Sequence, residues 1–121
     1  MSKCILVVED QADNRRILRD MLSNAGYELI EAESGEEALT AVEAKRPDLI
    51  LMDIQLPVMD GYEATRRIRS KAELKSIPII AVTSYALSGE DKKARDAGCD
   101  EYVPKPFSPR HLLAKIRNFL E

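Results

Sequence analysis

A chain of 121 residues, 45% apolar and 32% charged, has the make-up of one globular domain with a real core, not of a disordered segment. Its formal charge of −3 argues against nucleic acid as a main partner, because phosphate backbones are held by clustered Lys and Arg. No apolar stretch approaches the ~20 residues of a membrane-spanning helix, and Met1-Ser2-Lys3 lacks a signal peptide's apolar region, so a cytoplasmic location off the membrane is expected.

Cys4-Ile5-Leu6-Val7-Val8 opens the chain and runs into Glu9-Asp10. Unbroken runs of this kind mark strands covered on both faces. Ile17, Leu18, Met21, Leu22 and Ala25 then recur at helical spacing and predict one apolar face, with Asp13 as N-cap and Gly26 as the C′ stop. Glu28-Leu29-Ile30-Glu31-Ala32 is shorter of apolar residues, as an edge strand would be. Ser34 is expected to cap a second helix, with Glu37 at the capping-box position and Ala38, Leu39 and Val42 facing inward. After Pro47, Leu49-Ile50-Leu51-Met52 ends in Asp53, and Pro57 forces the following Ile54-Gln55-Leu56 to turn away.

Asp60-Gly61 opens a third helix with Tyr62, Thr65 and Ile68 on one face. Its Arg66-Arg67-Ile68-Arg69 end reads as solvated cations that complement the helix dipole. Ile79-Ile80-Ala81-Val82 runs into Thr83-Ser84. Ser88 through Ala97 is a helix with little but Ala94 and Ala97 to bury, stopped by Gly98; so thin a face predicts a loosely anchored, movable element. Tyr102-Val103-Pro104 leads into Lys105-Pro106, and Ser108-Pro109 starts a last helix that buries Leu112, Leu113, Ile116 and Leu120.

Five strands alternating with five helices predict an α/β fold, a (βα)5 doubly wound parallel five-stranded sheet with right-handed crossovers. Residues 1–121 are expected to form a single domain with no linker and no output domain. Ligands of such sheets sit beyond the carboxyl ends of the strands. Glu9, Asp10, Asp53, Thr83 and Lys105 would all gather there. Three carboxylates facing one ammonium carry surplus negative charge, which costs stability unless something compensates. Two readings stay open for them: a solvated acidic rim, or a site for a hard divalent ion, where sparse carboxylates with open positions suit Mg²⁺. Asp53 ends the most apolar run, and a carboxylate can act as a nucleophile that forms an acyl phosphate. Lys105 would neutralise the incoming oxygens, and the Thr83 hydroxyl would donate to one of them. Flanking prolines aim Lys105, while composition leaves the Lys105–Pro106 bond open between cis and trans.

Val8-Glu9-Asp10, Leu51-Met52-Asp53-Ile54-Gln55-Leu56-Pro57-Val58-Met59-Asp60-Gly61, Val82-Thr83 and Lys105-Pro106-Phe107 resemble the signature of the response-regulator receiver domain. The similarity spans essentially the whole chain. It is strongest to stand-alone receivers such as regulators of bacterial cell division, although receivers of hybrid kinases look alike. The resemblance implies a flavodoxin-like sheet order of 2-1-3-4-5 and Asp53 as the phosphoacceptor. Mg²⁺ would be held by Asp10, Asp53 and the backbone carbonyl of Gln55, with Glu9 acting through a water on the ion. Thr83 would be the switch hydroxyl, Tyr102 the switch aromatic, and Lys105 the phosphoryl clamp, joined to Pro106 by a cis bond. The partners implied are a histidine kinase or histidine phosphotransfer protein docking near the first helix, and a downstream protein target. That target would read the surface of the fourth helix, fifth strand and last helix on a monomer or weak dimer. The chain would be no enzyme beyond its own phosphoryl transfer and slow dephosphorylation. Ser84 and Tyr85 depart from the commonest pattern, and with Gln55 they lead us to expect a shielded, slowly hydrolysed phosphate.

Two rival readings fit less well. A phosphatase of the haloacid-dehalogenase type needs a second acid two residues after its nucleophile, where this chain has Gln55. A receiver-like binding module that no longer accepts phosphate would not need every reactive group that is present here. Cys4 and Cys99 read as reduced structural thiols, and His111 as a polar residue of the last helix.

Overall fold

The computed structural model describes residues 2–84 and 89–121. Strands and helices alternate as β1 (Cys4–Val8), α1 (Ala12–Asn24), β2 (Glu28–Ala32), α2 (Gly35–Ala44), β3 (Leu49–Asp53), α3 (Gly61–Arg69), β4 (Ile79–Thr83), α4 (Glu90–Ala97), β5 (Glu101–Pro104) and α5 (Pro109–Leu120). A short 3₁₀ turn, Ala72–Leu74, follows α3. All neighbouring strands are parallel, in the order β2-β1-β3-β4-β5, as expected. The expected edge strand, β2, lies at one margin and is the only one of the first four with exposed positions along its length.

Strand alternation divides the core into two layers. Ile5, Val7, Leu49, Leu51 and Ile80 point to one face and pack with Leu18 and Leu22 of α1 and Leu112 and Ile116 of α5. Leu6, Val8, Ile50, Met52, Ile79 and Ala81 point to the other and pack with Ala38 and Val42 of α2, Ala64 and Ile68 of α3, and Ala94 of α4. Two helices thus cover one face and three the other. The layer under α4 is the thin one, because that helix buries alanines at Ala94 and Ala97 where its neighbours bury larger side chains.

Caps set the element ends. Gly26 adopts φ +93°, its amide donating to the Ser23 carbonyl while that of Tyr27 reaches Leu22, so α1 closes on a Schellman turn. The hydroxyls of Ser34 and Ser108 and the carboxylate of Asp60 accept the amides of Glu37, His111 and Glu63. Three local expectations need correction. The N-cap of α1 is Gln11, not Asp13, because the Glu9 carboxylate accepts the Gln11 amide at 3.1 Å and starts the helix two residues early. Ile17 leaves the buried stripe and stands 51% exposed, since Leu18 and Leu22, one turn apart, already fill the layer above the sheet. Glu37 returns its hydrogen bond to the amide of Glu33 and not to that of Ser34. The start of α4 is Glu90 after Gly89 at φ +95°; Ser88, where the sequence reading placed it, lies outside the described residues, as does Tyr85.

Candidate functional site

The register of the sheet builds the site. Val7 pairs with Leu51 and Val8 with Met52, so the next step places Glu9 beside Asp53 on the face covered by α1 and α5. Asp10 follows where β1 gives way to α1. Ligand oxygens of Glu9, Asp10 and Asp53 lie within 4.8 Å of one another. Glu9 and Asp53 are 2% and 4% exposed, so little water screens their charges.

Among the described residues, one side-chain cation bonds to this cluster. The Lys105 ammonium donates to Glu9 Oε1 at 3.1 Å and to Asp53 Oδ2 at 3.3 Å. It is aimed from the end of β5, where the Lys105 amide donates to the Thr83 carbonyl at 2.7 Å and the bond to Pro106 is cis. Burial pulls the Lys105 ammonium toward neutrality, but the charges of Asp53 and Glu9 outweigh it and hold its pKa above the ordinary value. Burial pushes the Glu9 carboxyl up to about 7, with the charge of Asp53 adding to the rise. The donors are all oxygens, the acids outnumber the cation, and Glu9 holds a proton far above the usual carboxylate range. Those three facts fit a hard divalent ion better than they fit a relaxed acidic rim.

The remaining oxygen of Asp53 is held by its own loop. Asp53 Oδ1 accepts the Gln55 amide at 3.0 Å, and the Ile54 amide donates to the Val82 carbonyl at 3.0 Å. The Gln55 side chain turns across to β4 and accepts the Ser84 amide at 2.8 Å, tying the two loops together beside the acids. The Met59 amide closes a three-residue turn onto the Pro57 carbonyl with Val58 at φ +68°, a strained conformation for a β-branched residue. Gly61 then brings the start of α3 directly against the Asp53 and Ile54 backbone.

Thr83 is fully buried. It shares strand parity with Ile79 and Ala81, which belong to the layer under α2, α3 and α4. Tyr102, paired in register with Ala81, is half-buried and packs against that same layer. The two residues expected to act as switches thus share the face of the sheet covered by α2, α3 and α4. Beside the acids, a cavity of about 560 Å³ opens toward α1 and α5, with Asp53 and Lys105 at its floor and Ile17, Leu18, Pro106 and Phe107 on its walls.

Three participants were not foreseen as such. Arg15 clamps the Glu9 carbonyl at 2.9 Å, the Gln55 side chain bridges two loops, and Glu90 is buried against Tyr62. The Gln55 and Glu90 contacts join residues 29 and 28 positions apart, and Arg15 reaches out of its helix to the strand end before it, so no local periodicity announces any of the three. Arg69 reverses its expected role as well. It is not a solvated cation, because its guanidinium turns inward onto the carbonyls of Gly98, Leu74, Lys75 and Ile77. Among the described residues no helix is long and apolar enough to cross a membrane.

Comparison with known proteins agrees with this geometry. The family model for the response regulator receiver domain matches residues 5–117. The polar-differentiation response regulator DivK of Brucella ovis is 42% identical over 120 residues, covering 99% of this chain and 98% of that protein. The receiver domain of sensor histidine kinase PA1611 from Pseudomonas aeruginosa superposes with a TM-score of 0.91 at 38% identity, covering 99% of this chain and 98% of that one. Its crystal structure has a magnesium ion coordinated in the active-site cleft. The chemotaxis protein CheY4 of Vibrio cholerae superposes with a TM-score of 0.93 at 29% identity, over 98% of this chain and 99% of that one.

Proposed function

This chain belongs to the response-regulator receiver family of two-component signalling, and within that family we propose that it is a switch whose phosphoacceptor is Asp53. The observation that carries the proposal is the Asp53 carboxylate, 4% exposed, with two further acids within 4.8 Å and the Lys105 ammonium 3.3 Å away. An isolated buried acid would be a poor nucleophile. This one is held by two opposing demands, surplus negative charge that invites a metal ion and an aimed cation that invites a phosphoryl group.

Asp10, Asp53 and the Gln55 carbonyl would hold Mg²⁺, with Glu9 behind them. The ion, when bound, supplies positive charge for the phosphoryl oxygens. The rest is done by the chain. An Asp53 oxygen bonds phosphorus as the bond from phosphorus to the donor's histidine nitrogen breaks, that nitrogen keeping the electron pair. Lys105 moves from its two carboxylates onto a phosphoryl oxygen, and Thr83 donates to another. Transfers of this kind need positioning and charge neutralisation more than covalent help from the protein. The cavity beside Asp53, rimmed by the exposed Ile17 and by Pro106 and Phe107, suits the approach of a histidine kinase or histidine phosphotransfer protein along α1.

The new group adds about −1.5 to −2 charge. Thr83 turning toward it would leave room for Tyr102, and α4 would move against β5 and α5, changing the surface read by a downstream protein. Acetyl phosphate tests the chemistry. With Mg²⁺ the protein should gain one phosphoryl group by intact mass, lose the gain when EDTA is present, and show none in Asp53→Asn. Equal labelling of Asp53→Asn would overturn the assignment.

A further inference from the structure

Glu90 is the first residue of α4, and it is 8% exposed. Charged side chains are seldom so covered unless they are paired. The pairing here comes from another helix: the Tyr62 hydroxyl donates to Glu90 Oε2 at 2.6 Å. Lys93 stands 3.5 Å from the other oxygen, and the helix start favours an anion. Short bonds onto a carboxylate are among the stronger hydrogen bonds of proteins. Burial and the Glu90 charge both raise the Tyr62 hydroxyl's pKa, so it stays a donor throughout the physiological range.

The two ends of this bond are anchored very differently. Tyr62 follows Gly61, whose amide donates to the Ile54 carbonyl at 2.9 Å and whose Cα is seated against the Asp53 backbone. It is therefore fixed to the strand that carries the acceptor. Glu90 opens a helix that buries only Ala94 and Ala97 besides itself, and whose N-cap, Gly89, offers no side-chain bond. A single hydrogen bond thus contributes an unusual share of what holds the start of α4 to the rest of the fold.

We propose that the Tyr62–Glu90 hydrogen bond is a latch that holds α4 in its resting position and sets how strongly the unphosphorylated switch resists activation. The proposal rests on Asp53 being the phosphoacceptor and adds the element that opposes it. Displacement of α4 on phosphorylation carries Glu90 with it, while Tyr62 stays with β3, so the bond between the two is stretched. A contact made in one state only shifts the equilibrium by its differential strength. Without the latch, more of the protein occupies the active arrangement before any phosphate arrives, and ligands of that arrangement bind more tightly in proportion.

Beryllofluoride with Mg²⁺ is the probe, read by amide NMR of α4 and by its apparent affinity. In Tyr62→Phe without the mimic, the α4 signals should lie on the line from free to mimic-bound wild type, and affinity should rise roughly tenfold. Glu90→Ala should do the same, and the double variant no more than either alone. Glu90→Gln, which keeps an acceptor, should do less. A general loss of packing would lower the melting temperature but would not move signals along that line. Should Tyr62→Phe fail to fold, Glu90→Ala carries the test from the other end of the bond. If wild type binds the mimic while the folded variants keep wild-type α4 signals and affinity, the latch is refuted and the acceptor stands. If wild type takes no beryllofluoride at Asp53, the acceptor assignment fails and the latch falls with it.

Discussion

A methyl group at Gly61 would stand 2.4 Å from the Asp53 carbonyl oxygen and 2.7 Å from the Ile54 Cα, so α3 can start against β3 only where there is no side chain. Both obstacles are backbone and cannot swing aside. Gly61→Ala should therefore cost about 3 kcal/mol in urea unfolding, at the upper end of overpacking penalties, and should weaken Mg²⁺ binding by displacing the loop that carries Gln55. Cys99 poses a different residue-scale question. It is 5% exposed, and burial pushes its thiol from an ordinary 9.0 up to about 11. The folded state thus holds that proton more tightly than the unfolded chain. The associated stability is complete below about pH 9 and is lost as the pH climbs toward 11. Melting temperature should fall more steeply across that window in wild type than in Cys99→Ala, and the native thiol should resist alkylation at neutral pH until the protein is unfolded.

At the scale of elements, the sheet's far edge is stapled by one side chain. Arg69, at the end of α3, donates to the Gly98 carbonyl at 2.8 Å and the Ile77 carbonyl at 2.6 Å, and reaches Asp100 Oδ2 at 2.8 Å. Asp100 in turn accepts the Ile79 amide at 2.9 Å. The end of α4 and the starts of β4 and β5 are held together through this guanidinium. A lysine has no planar fork to reach these acceptors at once. Arg69→Lys should cost about 2–3 kcal/mol by urea unfolding with an unchanged m-value, because carbonyls are left unpaired. This staple holds the end of α4, whereas Tyr62 holds its beginning, at the edge that carries the acids. The helix is pinned where no chemistry occurs and latched where it does.

The whole molecule concentrates its electrostatic cost in one place. Among the described residues, every buried side-chain nitrogen and oxygen has a hydrogen-bond partner, yet Glu9, Asp10 and Asp53 crowd within 4.8 Å around a single ammonium. An ion that binds only the folded state stabilises it by mass action, about 2.7 kcal/mol at a concentration a hundred times its dissociation constant. Mg²⁺ should therefore raise the melting temperature by several degrees, and EDTA should reverse it. Asp53→Asn should melt higher than wild type in EDTA, since one buried charge is gone, and should lose most of the Mg²⁺ response. An equal response in both proteins would remove the ion from this cluster.

How far the sequence reaches is plain from particular residues. The runs ending in Glu9, Asp53, Thr83 and Lys105, the thin face of α4, and the caps at Ser34 and Ser108 are written in periods of two and 3.6 and in single-residue chemistry, so element order and sheet class were legible from the chain alone. The shared motifs also pointed to Asp53 and its neighbours. Proximity was not legible. That Lys105 lies 3.3 Å from Asp53, that Tyr62 meets Glu90, that Arg69 turns inward and Ile17 outward, depends on how elements far apart in the chain are placed against one another. Local periodicity carries no term for such pairs; only register and packing, which arise when the whole sheet closes, bring them together.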